Sequence, residues 1–251
     1  MNLLAIVLLL MREYRRNALL LALLVVVPVV FITLAIYTTE DIPLSFTVRD
    51  DGEQVTISEP MPDVHGAIMV PITAAFLAGL VGLFAMLGAA RSDSRLIVAG
   101  ASPAAVTGAR LAIIVVLTMI VTLVAIGVAL IDFRPEVLWA FVAANLLVGF
   151  TYALVGAIAA VLAGRLGGAY LMFILPMIDI GIYQDPMLVS GPQEFWMKLL
   201  PGFGGTRLVL DAGFTDGFDE WTALAAALVW PLLLVAAVVY IFGAARTRIV
   251  R

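Results

Sequence analysis

The chain has 251 residues, 63% of them hydrophobic and 13% charged, and a formal net charge of −4 at pH 7. Its mean hydropathy of +1.13 is far from that of a water-soluble domain. With no cysteine and one histidine, the chain excludes disulfides, thiolate metal sites and cysteine nucleophiles.

Residues 1–17, MNLLAIVLLLMREYRRN, join an apolar run too short to cross a bilayer to a basic cluster, Arg12, Arg15 and Arg16. The pattern reads as an interfacial elbow helix whose basic end meets lipid phosphates, in preference to an extension of the first span. The basic residues follow the apolar run and no small-residue cleavage site comes after, so an uncleaved first span is expected rather than a signal peptide. Six apolar runs then suit a hydrocarbon layer about 30 Å thick: Ala18–Tyr37, Ala67–Ala90, Leu111–Ile131, Val137–Ala163, Ala169–Tyr183 and Trp221–Gly243. The fifth is short, about 22 Å at the helical rise, and needs help to cross.

Between the first two runs, residues 38–66 form an outer loop. LSFTVRDDGEQVTIS has two alternating arms about Asp51–Gly52, the strongest short hairpin signal. That turn sets Phe46 opposite Ile57, Val48 opposite Val55, and Thr47 with Thr56 on the other face. A lone hairpin is marginal in water, so this one is expected to pack on the ends of the spans, as a lid or a plain loop. His65, beside Asp63, has no second histidine or cysteine to share a metal, and reads as an interfacial structural residue.

Residues 91–110 contain RLIVAGASPAAVTGARL, too short and broken to span and too apolar for a hydrated loop. Ser92 or Ser94 is a cap for a short helix carrying Leu96, Ile97 and Val98, which Gly100 ends. Ser102–Pro103 reads as the N-cap and first residue of the next helix. Arg91, Arg95 and Arg110 would hold the short helix at the membrane surface. Its apolar face calls for a partner: lipid, another part of this chain, or a soluble protein.

Asp179 is the one ionisable residue inside a predicted span, which makes the translocation path a hypothesis and a backbone or water partner the plainer account. Residues 184–220 follow as an outer region. Phe195, Trp196, Leu199 and Leu200 have helical spacing, and a break at Pro201–Gly205 would let the segment dip into the outer leaflet as short helices. Trp196 and Trp221 suit the interface. GFGGT lacks the Lys-Ser/Thr of a phosphate-binding loop, and no such pattern occurs elsewhere. Ala74, Ala78 and Gly82, and likewise Gly156, Ala160, Gly164 and Gly168, recur every fourth residue and permit close helix approach. Pro28, Pro71, Pro176 and Pro231 lie within spans.

With the N-terminus inside, ten of the 14 Lys and Arg residues fall in inside segments and four outside, as the positive-inside rule requires. Fifteen acids fall outside and two inside. The expected fold is therefore an all-α polytopic membrane protein: one domain, 1–251, with six transmembrane helices, both termini inside, an elbow, an outer β-hairpin and an outer re-entrant segment.

This arrangement resembles the permease subunit of the second family of ATP-binding-cassette exporters. The likeness rests on the six spans, the elbow, RLIVAGASP between the second and third spans, and the closing MKLLPGFGGTRLVLDAGF and WTALAAALVWPLLLVAAVVYIFGAARTR. It implies that Arg91, Arg95, Leu96, Ile97 and Val98 belong to a coupling helix, Arg91 to Ala99, contacting a separate ABC ATPase together with the elbow. It implies further that ATP and Mg are bound by that ATPase, that two copies or a copy and a paralogue form an export path, and that the location is the plasma membrane. Lipids are the remaining partner; nucleic acid is not one.

Catalysis by the chain itself is not expected. Serine proteolysis within a membrane needs a base in the spans, metal hydrolysis needs clustered ligands, and aspartyl chemistry needs a second buried carboxylate. A non-transporting membrane scaffold or sensor is the alternative.

Overall fold

The computed structural model describes residues 6–7, 18–87, 89–189, 191 and 193–247. They form a mostly helical bundle with one two-stranded antiparallel sheet. In chain order the elements are α1 (Ala18–Thr38), β1 (Pro43–Asp50), β2 (Glu53–Pro60), α2 (Met61–Leu87), α3 (Ala89–Val98), α4 (Pro103–Ala129), α5 (Leu138–Leu162) and α6 (Gly164–Ile178). A π-helical turn, Asp179–Gln184, continues α6, and after a short 3-10 turn (Met197–Leu199) come α7 (Pro201–Phe214) and α8 (Trp221–Thr247).

Among the described residues, five helices are long and apolar enough to cross a membrane: α2, α4, α5, α8, and α6 with its π turn. The stretch Ala22–Thr38 of α1 is a shorter apolar helix. The fifth run is not short after all. Helix starts at Gly164 rather than Ala169, and the π turn carries it to Gln184, giving 21 residues, or about 30 Å at the helical rise. α2 also begins earlier than expected, at Met61, so Asp63 and His65 lie in its first turns. Pro62 is compatible with that start, because an N–H in the first turn has no intrahelical acceptor to lose.

α2 is the axis of the bundle, with 83% of its most apolar window buried against other helices. Glycine makes this possible. A methyl group added at Gly82 would overlap the Ala153 carbonyl of α5, and one at Gly156 would overlap the Gly79 carbonyl of α2. One added at Gly168 of α6 would overlap Leu83. The small-residue stripes therefore join α2 to α5 and α6 within a single chain. Where the surroundings are as apolar as the side chains, such backbone proximity supplies the dispersion contacts that hold helices together.

The hairpin has the expected register, with Phe46 opposite Ile57, Thr47 opposite Thr56 and Val48 opposite Val55. Asp51 (φ 51°) and Gly52 (φ 81°) both have positive φ, as a tight turn matched to the strand twist demands. It is docked, not dangling. Phe46 and Val48 are buried, and the Phe46 ring meets Phe214 of α7 edge-on at 5.4 Å. Arg207 of α7 donates to the Thr47 carbonyl at 2.9 Å, and the Gly52 N–H donates to Asp219 Oδ2 at 2.7 Å.

At the opposite end, α3 follows α2 almost directly. It starts at Ala89, so Ser92 and Ser94 lie inside the helix and neither is its cap. Its C-terminus is as expected: Gly100 has φ 91°, with Gly100 N bonded to Ile97 O and Ala101 N to Leu96 O, both at 2.9 Å. This paired arrangement satisfies the last carbonyls and needs a residue tolerant of positive φ. Ser102 then caps α4 by accepting from the Ala105 N–H at 3.2 Å, with Pro103 in the first turn.

Candidate functional site

Asp179 is 1% exposed, at the junction of α6 with the π turn. Its Oδ2 accepts from the Tyr152 hydroxyl of α5 and from the Gly202 N–H of α7 at 2.8 Å. Gly202 is the second residue of α7, so the carboxyl group sits at a helix N-terminus, where backbone donors are unpaired and the helix dipole favours negative charge. Pro201 offers no N–H, which leaves Gly202 to supply the contact. Of the alternatives for Asp179, the backbone donor is present, joined by a phenol the sequence did not single out. Among the described residues, Oδ1 is buried without a hydrogen-bond partner.

The π turn supplies further polar groups. Gln184 donates to the Met197 carbonyl at 3.1 Å, and Gln193 donates to Gln184 Oε1 at 2.8 Å and to the Tyr183 carbonyl at 3.3 Å. Tyr183 packs edge-on against Trp196, with centroids 4.7 Å apart. These bonds provide partners for backbone carbonyls where regular helix stops, the condition for irregular chain in an apolar setting.

The expected break at Pro201–Gly205 lies one residue earlier. Leu200 is extended (φ −73°, ψ 147°), and helix resumes at Pro201. The glycines are inside α7, each serving a different neighbour. Cβ atoms at Gly202, Gly204 and Gly205 would strike Asp179, the α8 backbone around Ala223–Ala227, and Val148 of α5, respectively. This short helix is thereby wedged against α5, α8 and the Asp179 turn at once.

At the C-terminal end of α7 lies a carboxylate group. Asp211 of α7 is 1% exposed and Glu220 is 9% exposed, and Asp219 carries the hairpin turn. Burial raises the Asp211 carboxyl to about 7, with the neighbouring charges of Asp219 and Glu220 adding to the effect and a bond from Thr215 opposing it. Burial likewise raises Asp185 to about 6. Among the described residues, no group of three or more His, Asp or Glu has metal-binding geometry.

His65 has a structural setting. Thr39 donates its hydroxyl to the Ala35 carbonyl at 2.7 Å, and its oxygen lies 2.6 Å from His65 Nδ1. Since the hydroxyl proton is already used, Nδ1 carries the hydrogen and donates to Thr39, tying α1 to α2.

The α3 region differs from its expected surface role in two respects. Arg110 is 3% exposed and forms an ion pair with Asp93 at 3.1 Å, with a second donor, Nε, at 3.2 Å. It latches α3 to α4 instead of reaching a membrane surface, and the carboxylate offsets much of the cost of taking the guanidinium out of water. Leu96 and Ile97 are half-buried against a cluster containing Ile6, Leu77, Ala101 and Val106, so the chain itself covers much of that face. Val98 remains 87% exposed and Arg95 is exposed. Arg91 is within α3, and its side chain, like Arg12, Arg15 and Arg16 of the expected elbow, lies outside the described residues.

No protein-family model matches this chain, and neither a curated protein nor a solved structure matches it.

Proposed function

We propose that the chain is the membrane-spanning permease subunit of an ATP-driven exporter, with α3 as its coupling helix and ATP and Mg held by a separate ATPase. In this reading both termini and α3 face the cytoplasm of a plasma-membrane protein, and the hairpin end faces outward. Paired copies, or this chain and a paralogue, enclose the path. The observation that carries the reading is the mechanical setting of α3. It is a short amphipathic helix with Val98 exposed, which begins two residues after the axial helix α2 ends, is closed by Gly100, and is latched to α4 through Asp93–Arg110.

A push on α3 would thus be delivered to two long helices together. Interiors packed this closely shift as units rather than deforming locally. Partway along the bundle, the Tyr152–Asp179–Gly202 bonds join α5, the end of α6 and α7. A change in the α2–α5 crossing would be felt there, and Asp179 is the side chain proposed to respond as the path opens.

The absence of cysteine allows a direct test. A single Cys at Val98, carrying a short photocrosslinker, is irradiated in native membranes. Crosslinking to a soluble ATPase, lost when the probe is moved to Glu53 on the hairpin, is the expected result. Crosslinks only to lipid or to the chain itself, from a probe shown to be reactive, would remove the reading.

A further inference from the structure

Between the hairpin, the segment after the π turn and α7 lies a cavity of about 160 Å³. Its polar lining comes from Ser45, Thr47, Thr56, Gln184, Gln193 and Arg207, and among the described residues no carboxylate lines it. That is unexpected at this end of the molecule, where the sequence concentrates fifteen of its 18 acids.

Arg207 is the unusual member. Its guanidinium carries five N–H donors, yet among the described residues its hydrogen bonding is confined to Nη1, which donates to the Thr47 carbonyl at 2.9 Å. The ion pair among the described residues is Asp93–Arg110, far along the chain; Glu220 acts on Arg207 only at longer range, and Arg49 opposes it. Burial disfavours its charged form. A partly buried guanidinium without a contacting carboxylate is costly, and an oxyanion entering the cavity would relieve that cost through charge-assisted, bidentate bonds.

The other groups narrow the ligand. Both Gln193 amide hydrogens are engaged, and its Oε1 is buried with no donor. The Gln193 amide is thus held in place by its own bonds, and the Ser45 and Thr56 hydroxyls, which can donate, join Arg207 as donors suited to an oxyanion.

We propose that this cavity binds a phosphate group, with its oxygens on Arg207 and on the hydroxyls of Ser45 and Thr56. The same chemistry occurs in a free polyol phosphate and in the head group of an anionic lipid such as phosphatidylglycerol. The assignment does not depend on transport.

The test uses the full chain, purified in a neutral detergent, and follows thermal unfolding by tryptophan fluorescence. Glycerol 3-phosphate is titrated against glycerol and against inorganic phosphate. In parallel, the chain is placed in nanodiscs of phosphatidylcholine with and without phosphatidylglycerol. Saturable stabilisation by glycerol 3-phosphate or inorganic phosphate, absent with glycerol, identifies a free ligand. Stabilisation by phosphatidylglycerol alone identifies a lipid head group. In either case Arg207→Gln should weaken binding at least tenfold, and Arg207→Lys less. Should Arg207→Gln fail to fold, Thr56→Tyr fills the cavity from an exposed strand position and should abolish binding. Stabilisation by neither source, or stabilisation unchanged in Thr56→Tyr or in a folded Arg207→Gln, would overturn the assignment.

Discussion

Removing the Asp179 side chain should destabilise the fold more than removing either of its bonds. In Asp179→Ala, the Tyr152 hydroxyl and the Gly202 N–H both lose their acceptor at a position 1% exposed. An unpaired buried donor costs about 1–3 kcal/mol, so the pair costs about 4 kcal/mol. At about 2–4 °C per kcal/mol for a chain of this size, melting should fall by ~8–16 °C. Asp179→Asn keeps one acceptor oxygen for both donors and should lose less than half as much. Tyr152→Phe removes one donor and should cost about 2 kcal/mol. The double variant Tyr152→Phe, Asp179→Ala leaves only Gly202 unpaired, so it should be more stable than the two single losses added together, by about 4 kcal/mol. Tryptophan-fluorescence melts of the four proteins in one detergent close the cycle. Strict additivity, or an Asp179→Ala protein melting within 2 °C of the parent at about the resolution of such a shift, would refute the account.

Gly156→Ala should cost about 3 kcal/mol, because the added methyl overlaps the Gly79 carbonyl and neither backbone can move aside cheaply. Gly127→Ala on α4 meets nothing within 4 Å and should be neutral or slightly stabilising, so the same melts separate close packing from helix propensity. Asp211 sets a pH dependence. Its ordinary value is 3.8 and burial raises it to about 7, so between those values the folded state holds a proton that the unfolded state has released. Stability should therefore fall as pH rises from about 4 to about 7 and level off above. The full interval corresponds to a ceiling of about 4 kcal/mol, which solvent at this end of the bundle reduces to about 1–2 kcal/mol. Asp211→Asn should flatten the profile, leaving a smaller slope of the same sign from Asp185; an unchanged slope would remove Asp211 from this role.

Local chemistry was legible in the sequence, and its sites are local in the fold. Asp51–Gly52 between alternating arms defined the hairpin and its register, because a two-residue turn leaves the strands one pairing that keeps Phe46 and Val48 on a common face. Gly100 and Ser102–Pro103 marked the end of one helix and the start of the next, since capping involves only residues within one turn. The long apolar helices could be counted approximately from runs of hydrophobic residues. What the runs concealed was helical start, as at Met61 and Gly164, where a few polar or small residues precede the apolar stretch.

Tertiary structure alone decided which residues meet. Asp179 lies 27 residues from Tyr152 and 23 from Gly202, and Arg110 was drawn inward by an aspartate 17 residues before it. Nothing near Arg207 in sequence announced a cavity formed with a hairpin 160 residues away. In a soluble protein the polar face of each helix would indicate which side is covered. In helices apolar all round, lipid-facing and protein-facing sides carry the same residue types, so periodicity is silent about neighbours. Glycine and isolated polar side chains were the traces that remained. Their partners became visible only when the helices were packed, because close approach and buried hydrogen bonding are properties of two surfaces and not of one segment.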